Sequence, residues 1–318
     1  MRSRALTERL QVTEVGFGAA GVSNLYSAIS DEQAAATLEA AWAGGIRYFD
    51  VAPHYGLGLA ERRLGAALAS KPRHEYVVST KVGRVLVPRI PPAPRDDDMF
   101  DVPGDKRRVW DFSLAGIRRS IEDSLTRMGI GHLDVAYLHD PDVSGVPGAL
   151  EDGLTALLQL RDEGVVSAVG VGTNDSPTAA RAFAEYEIDT CMLAGQYTLL
   201  RNHGFAEVVQ AAAGRPVVLA GVFNSGILAT QEVPDRATFD YLEAPQEVLR
   251  RARALARTAR EQHTTLPALA IQHGLRRPEV ASVVLGMRSP AEVEANLAHW
   301  AADISPVTWQ AVDDEGQS

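Results

Sequence analysis

Short apolar runs alternate with amphipathic stretches along nearly the whole chain. The strand-like runs are VTEVGFG (12–18), IRYFDVA (46–52), EYVVSTK (75–81), HLDVAYLH (132–139), VVSAVGVG (165–172), TCMLAG (190–195), PVVLAG (216–221) and ASVVLG (281–286). Several are continuously apolar rather than alternating, which is the pattern of strands covered on both faces of a parallel sheet.

The stretches between them carry helix signals. SDEQAAATLEAAWAGG opens on a Ser30/Gln33 capping box and stops at Gly44. In SLAGIRRSIEDSLTRMG the residues Ile117, Ile121, Leu125 and Met128 share one face, and Gly129 ends the helix. SPTAARAFAEY and SPAEVEANLAHW each begin with serine as cap and proline in the first helical position, at Ser176 and Ser289.

Eight strand-plus-helix units without a linker-like break predict an α/β fold, a (β/α)8 TIM barrel, forming a single domain over residues 1–318. A doubly wound sheet is the runner-up. It is disfavoured because the turn GFGAAGVSN is not followed by an acidic strand end at the ribose-binding spacing. Residues 82–112 are Pro-rich and too long for an ordinary connection, so a substrate-loop insertion over the C-terminal face is expected. SPVTWQAVDDEGQS reads as a short C-terminal helix with a frayed tail, with Trp309 covering part of the barrel.

Composition narrows the function classes. The net charge of -10 argues against nucleic acid as the main partner, and the arginine-rich stretch 246–263 reads as a solvated helix face. A single cysteine, Cys191, excludes an internal disulfide and a cysteine-based zinc cluster, and it reads as a small buried residue on strand six. The N-terminus has no apolar leader and no segment reaches membrane-spanning length, so a cytoplasmic location is expected. Only Lys71, Lys81 and Lys106 among 31 basic residues are lysines, which singles out Lys81 at a strand end.

In a barrel, polar residues at the carboxyl ends of strands mark the chemistry. Strand two ends at Asp50, with Tyr55 in the turn beyond; strand three ends at Lys81 and strand four at His139. A phenol titrates near 10, too high for an efficient acid or base near neutrality, and a neighbouring ammonium lowers it. Asp50 suits the role of holding Lys81 charged, and His139 that of donating to a substrate oxygen. Such a set moves a proton to or from an alcohol or carbonyl. It holds no redox electrons, so a cofactor must carry the hydride. No metal is expected. Taken singly, each residue has a bland reading, as cap, turn aromatic or solvent-reaching end; their joint placement on adjacent strands favours catalysis.

These motifs resemble the aldo-keto reductases: GGIRYFDVAPHYG…AERRLG, VVSTKVGR, IEDSLTRMGIGHLDVAYLHDPD, VGVGTND, AGQYTLL and VVLGMRSPAEVEANL, in order along nearly the whole chain. The resemblance implies a tetrad of Asp50, Tyr55, Lys81 and His139 in a barrel that binds an extended nicotinamide cofactor, NAD or NADP. GFGAAGVSNLY, the WDFSLAGIRRSIEDSL helix entry, LHDPD and GVFNSGIL further resemble the L-fucose or D-threo-aldose 1-dehydrogenase and pyridoxal 4-dehydrogenase branch. That implies oxidation of a sugar hemiacetal or related alcohol, with a small-molecule substrate and an oligomeric state that is not readable.

The resemblance also implies cofactor contacts. Thr173, Asn174 and Gln196 would hold the carboxamide, and Tyr197 would stack on the nicotinamide. Phe223, Asn224, Ser225, Gly226 and Leu228 would grip the pyrophosphate, with Gly18 and Ala19 as further contacts. Gly286, Arg288, Ser289, Glu292 and Asn296 would read the adenosine. A carboxylate at Glu292 would repel a 2′-phosphate, which favours NAD, whereas Arg288 near a helix N-terminus would suit a phosphate. Glu292 also completes a capping box with Ser289, and Tyr197 and Phe223 could equally be rim packing. Tyr26, Trp110 and Phe112 are candidate substrate contacts or plain loop packing, and His54 is a loop residue that could touch substrate. A pyridoxal or general aldehyde reductase of the same family, a Schiff-base aldolase using Lys81 and a non-catalytic nicotinamide-sensing subunit are the rival functions.

Overall fold

The computed structural model describes residues 1–240 and 242–315. Eight strands close into a barrel: β1 (Val15–Gly18), β2 (Tyr48–Asp50), β3 (Val77–Val82), β4 (Leu133–His139), β5 (Val166–Thr173), β6 (Thr190–Ala194), β7 (Val217–Ala220) and β8 (Val280–Gly286). Each pairs in parallel with its sequence neighbours, and β8 pairs with β1 to close the ring. This is the (β/α)8 architecture the pattern predicts.

Helices α1 (Asp31–Ala43), α2 (Leu59–Leu68), α3 (Leu114–Met128), α4 (Ala149–Asp162), α5 (Ser176–Glu185), α6 (Phe205–Ala212), α7 (Gln246–Glu261), α8 (Leu266–Leu275) and α9 (Pro290–Ala301) ring the barrel, followed by α10 (Pro306–Glu315). The main apolar core fills the space between strands and helices, with Phe17, Phe49, Val78, Leu138 and Val169 on the strand side and Leu38, Leu64, Ile117 and Leu157 on the helix side.

Inside the barrel a second cluster stacks Tyr48, Val77, Val135, Tyr137, Ala168 and Val218, with Leu6 and Val12 beneath. Strand alternation makes this possible. Tyr48 and Asp50, Ser79 and Lys81, and Tyr137 and His139 are pairs two residues apart, so each pair faces the same way. The register sets Asp50 beside Ser79 and Lys81 beside Tyr137. Polar groups therefore gather at the upper rim of an apolar interior.

The structure corrects four details. Strand one starts at Val15, because Gln11–Thr13 instead pairs antiparallel with Ser3–Ala5 in a hairpin at the opposite end of the barrel. The α5 cap is Asp175, whose side chain accepts from Thr178 N at 2.9 Å, which leaves Ser176 inside the helix. Ser30 caps α1 as expected, but the Gln33 side chain reaches Arg288 O rather than back to its cap. Residues 82–112 are not an irregular loop: Arg84–Ala93 and Gly104–Trp110 form a two-stranded ribbon.

Gly83 starts that ribbon at φ +103, and a Cβ there would come within 2.6 Å of the Phe112 ring. Both the backbone turn and the ring over it require glycine. The ribbon's far end folds back on the loop after β1: Tyr26 N donates to Met99 O at 2.8 Å and Asp101 N to Asn24 O at 2.9 Å. α10 packs with α7, and Trp309 lies under the Arg276 guanidinium on the outer helices. The tail beyond Glu315 lies outside the described residues. Cys191 is fully buried on β6, as expected.

Candidate active site

A cleft of about 720 Å³ opens at the carboxyl ends of the strands. Asp50, Tyr55, Lys81 and His139 all line it. Lys81 Nζ lies 2.5 Å from Asp50 Oδ2 and 3.0 Å from Tyr55 Oη, and it also donates to Val51 O at 3.3 Å. All three ammonium protons are thus taken by protein acceptors. Tyr55 reaches this point because the turn after β2 bends sharply at Gly56, φ +58, where a Cβ would lie 2.6 Å from Ser23 O.

Asp50 is anchored from below. Ser79 Oγ donates to Asp50 Oδ1 at 2.7 Å and lies 3.1 Å from Tyr48 Oη, which is 3.2 Å from Tyr137 Oη. The Ser79 hydroxyl has one proton and the carboxylate takes it, so the Tyr48 hydroxyl donates to Ser79. The chain of bonds runs from the barrel interior to the carboxylate and fixes its orientation.

The electrostatics follow from burial. Burial opposes charge on Lys81, yet Asp50 and Tyr55 outweigh it and push the ammonium above its ordinary value. Burial pushes Asp50 upward, against the pull of Lys81 and Ser79. For Tyr55 the expectation needs correcting: burial raises the phenol, and Lys81 opposes that rise without reversing it. The resting residue is a phenol with an ammonium placed to stabilise phenolate when it forms. An ammonium held this way is not the free amine that a Schiff-base aldolase requires, which disfavours that rival.

His139 is held far below its ordinary value by burial and by Arg84 and Lys81, so its imidazole is neutral. Asp140 Oδ2 lies 3.4 Å from His139 Nε2, which favours the tautomer with its proton on Nε2. His54 is also neutral, lowered to about 2 by burial, Arg84 and Arg108. Its ring meets those of His139 and Phe100 edge-on, at 5.7 and 5.3 Å. Such a site can hold an oxygen between a phenol and a neutral imidazole and move one proton at that oxygen.

Of the candidate substrate contacts, Tyr26 and His54 line the cleft. Trp110 and Phe112 do not. They stack on each other at 5.5 Å, and the Arg84 guanidinium sits 4.5 Å over Trp110. Sequence reasoning missed Arg84, Asp140, Asp98, Met99, Phe100 and Met192, all in the wall. Arg84 was one arginine among many. Asp98 to Phe100 enter only through the ribbon's fold-back.

The other end of the cleft suits a dinucleotide. Gly18, Thr173, Asn174, Phe223, Asn224, Ser225, Gly226, Gly286, Arg288 and Glu292 line it. Asn224 is buried with both side-chain amide atoms lacking a partner, an arrangement that calls for a ligand. A Cβ on Gly286 would meet nothing within 4 Å, so the backbone is bare where a ligand would approach. These residues fit the cofactor. Ala20 and Gly21 also line the cleft and were not foreseen.

Ala19, Gln196, Tyr197, Leu228, Ser289 and Asn296 are absent from the lining. Tyr197 instead stacks between Phe205 and His273, at 3.9 and 4.9 Å. Ala19 and Leu228 are core residues. Ser289 caps α9 by accepting from Glu292 N, and Glu292 accepts from Arg288 N at 2.9 Å. Among the described residues no group of three His, Cys, Asp or Glu could hold a metal, and no helix is long and apolar enough to cross a membrane.

Residues 14–315 match the model of the aldo/keto reductase family. The chain is 45% identical over 305 residues to a D-threo-aldose 1-dehydrogenase of a Pseudomonas species, covering 94% of this chain and 93% of that protein. It is 37% identical over 328 residues to a pyridoxal 4-dehydrogenase of Microbacterium luteolum, covering 96% and 95%. The fold is similar to that of an aldo-keto reductase from Bacillus halodurans, in a structure described as the holo form, with a TM-score of 0.78, 24% identity and coverage of 99% and 96% of the two chains.

Proposed function

The chain belongs to the aldo/keto reductase family, and from that premise we propose that it is an aldose 1-dehydrogenase that uses NAD and acts on L-fucose-like sugars. The observation that carries the reading is the Tyr55 hydroxyl, 3.0 Å from a fully engaged ammonium, beside a neutral His139. The 45% identity to a D-threo-aldose 1-dehydrogenase supports the sugar assignment.

Bound nicotinamide supplies the hydride acceptor that no residue here provides. The protein's part is positional and protic. His139 Nε2–H holds the anomeric oxygen beside Tyr55. Tyr55, as phenolate stabilised by Lys81, takes the hydroxyl proton as C1 loses hydride and the sugar becomes a lactone. In the reducing direction the phenol donates. Asp50 keeps Lys81 charged throughout. Because Tyr55 rests above its ordinary value, oxidation should accelerate with rising pH across the alkaline range while reduction slows.

NAD is favoured by Glu292. Its carboxylate, at the cleft's far end, accepts from the Arg288 backbone, while the Arg288 guanidinium turns to Ser27 at 3.0 Å. A 2′-phosphate in that corner would meet a carboxylate. The test is a cofactor-reduction screen with NAD and NADP against aldoses, pyridoxal and simple alcohols. The expected result is highest kcat/KM with NAD and an L-fucose-like aldose; faster turnover of pyridoxal would replace the aldose assignment.

A further inference from the structure

Beside His139 the cleft holds a charged pair that helps set that imidazole's protonation and to which neither the proposed chemistry nor the known relatives assign a contact with substrate. Arg84 Nη2 is bonded to Asp140 Oδ2, and Arg84 Nη1 lies 3.3 Å from His54 Nδ1. Both side chains are mostly buried, at 13% and 24% exposure. Both line the cleft with Tyr55 and His139.

Three features mark the pair as built for a ligand. The guanidinium is locked by Trp110, itself backed by Phe112, so its plane is set before anything binds. Among the described residues only two of the five Arg84 guanidinium N–H groups have partners, His54 and Asp140, and the side chain keeps 13% of its surface open in the cleft wall. Among the described residues only Oδ2 of Asp140 is engaged, by Arg84, while Oδ1 has no bond to a protein donor. A donor without an acceptor and an acceptor without a donor, on a fixed frame one residue from His139, match two neighbouring hydroxyls.

The charges exclude other ligands. Lys81 is matched by Asp50 and Arg84 by Asp140, and Asp98 adds a carboxylate to the same wall. Arg108, behind the wall, is held by Asp96 in a two-pronged bond at 2.8 and 2.7 Å. Among the described residues no cation at this end is free for a phosphate or carboxylate, and the lining is net negative. Phe100, buried beside Tyr55, supplies an apolar surface for the C–H face of a sugar ring.

We propose that Arg84 and Asp140 are the specificity-determining pair, reading a vicinal diol next to the reacting carbon and restricting the enzyme to uncharged polyhydroxy substrates. Trp110 and Phe112 are positioning residues that act through Arg84. This rests on the oxidoreductase reading of the cleft but not on the sugar being L-fucose-like.

The experiment compares kcat/KM ratios within each variant, so a general loss of activity cancels. In reduction, the wild type should prefer glyceraldehyde to propanal by roughly ten- to hundredfold, the worth of a hydrogen bond to a charged group. In Arg84→Met that preference should fall to about threefold or less, and Arg84→Lys, which keeps charge but loses the fork, should fall between. Asp140→Asn, which frees the guanidinium, should raise the ratio for glyoxylate over glycolaldehyde, in reduction, by about tenfold. Near-UV circular dichroism identifies a misfolded variant, in which case Arg84→Lys and Asp140→Asn decide. A glyceraldehyde preference absent from the wild type, or unmoved by the Arg84 changes, overturns the proposal. Should glyceraldehyde be preferred while no aldose is oxidised, the aldose assignment fails and the pair stands.

Discussion

Two carboxylates, one at each end of the barrel, are alike closed to solvent, but Asp50 lies much deeper, and the two do opposite things. Glu14 and Asp50 are each 3% exposed. At the lower end Glu14 accepts from Arg2 and Arg4 at 2.9 Å each and from the Trp300 indole at 3.1 Å. Burial opposes its charge, but those bonds outweigh burial and hold the carboxyl below its ordinary value. At the upper end Asp50 has only Lys81 and Ser79, and burial prevails. Glu14 is ionised because the fold favours it. Asp50 is ionised because Lys81 requires it, at a cost in stability, and that cost maintains a charged group beside a phenol.

Lys81→Met tests the contrast most severely. Turnover should fall about 10²- to 10⁴-fold, the range for lost acid–base support. The variant should also lose a few kcal/mol of stability, because a buried carboxylate is left without its partner. Adding Asp50→Asn should restore the stability, to the wild-type value or above, without restoring turnover. Chemical denaturation of the two variants checks this, and a double variant less stable than Lys81→Met alone would contradict it.

Glu14→Gln should do the reverse. A loss of about 1–3 kcal/mol is expected from weakened charge-assisted bonds, with kcat/KM unchanged. Because the folded carboxyl titrates lower than the unfolded one, its contribution is present above the ordinary carboxylate range and disappears as pH falls through the folded value. The variant's stability should therefore decline less steeply on acidification than the wild type's. The smallest effect is expected at Glu292, where replacement by lysine should shift the NADP-to-NAD ratio of kcat/KM upward by about tenfold, read in the same reduction assay.

How far the sequence carried the site depends on distance along the chain and on alternation. The tetrad was legible because strand pleating puts residues two apart on one face, and the ends of three adjacent strands meet on one rim. The balance at Tyr55 was not legible, because it depends on how deeply the cleft buries the phenol. The ribbon at 84–110 was hidden by Pro88, Pro91 and Pro92, which remove backbone donors and read as loop. A two-stranded ribbon tolerates them because its outer edges need no partner. The packing of Tyr197 on Phe205 and His273 was not legible, because those two rings come from other elements. Trp110, open to reading as a substrate contact or as loop packing, lies against the Arg84 guanidinium.

The most direct measurement is of Tyr55→Phe, with nicotinamide affinity followed by fluorescence and turnover by cofactor absorbance. Removing one hydroxyl whose hydrogen-bond partner among the described residues is Lys81 should leave cofactor affinity within about threefold and lower kcat by about 10²- to 10⁴-fold in both directions. Turnover within tenfold of the wild type would show that the proton moves through another group.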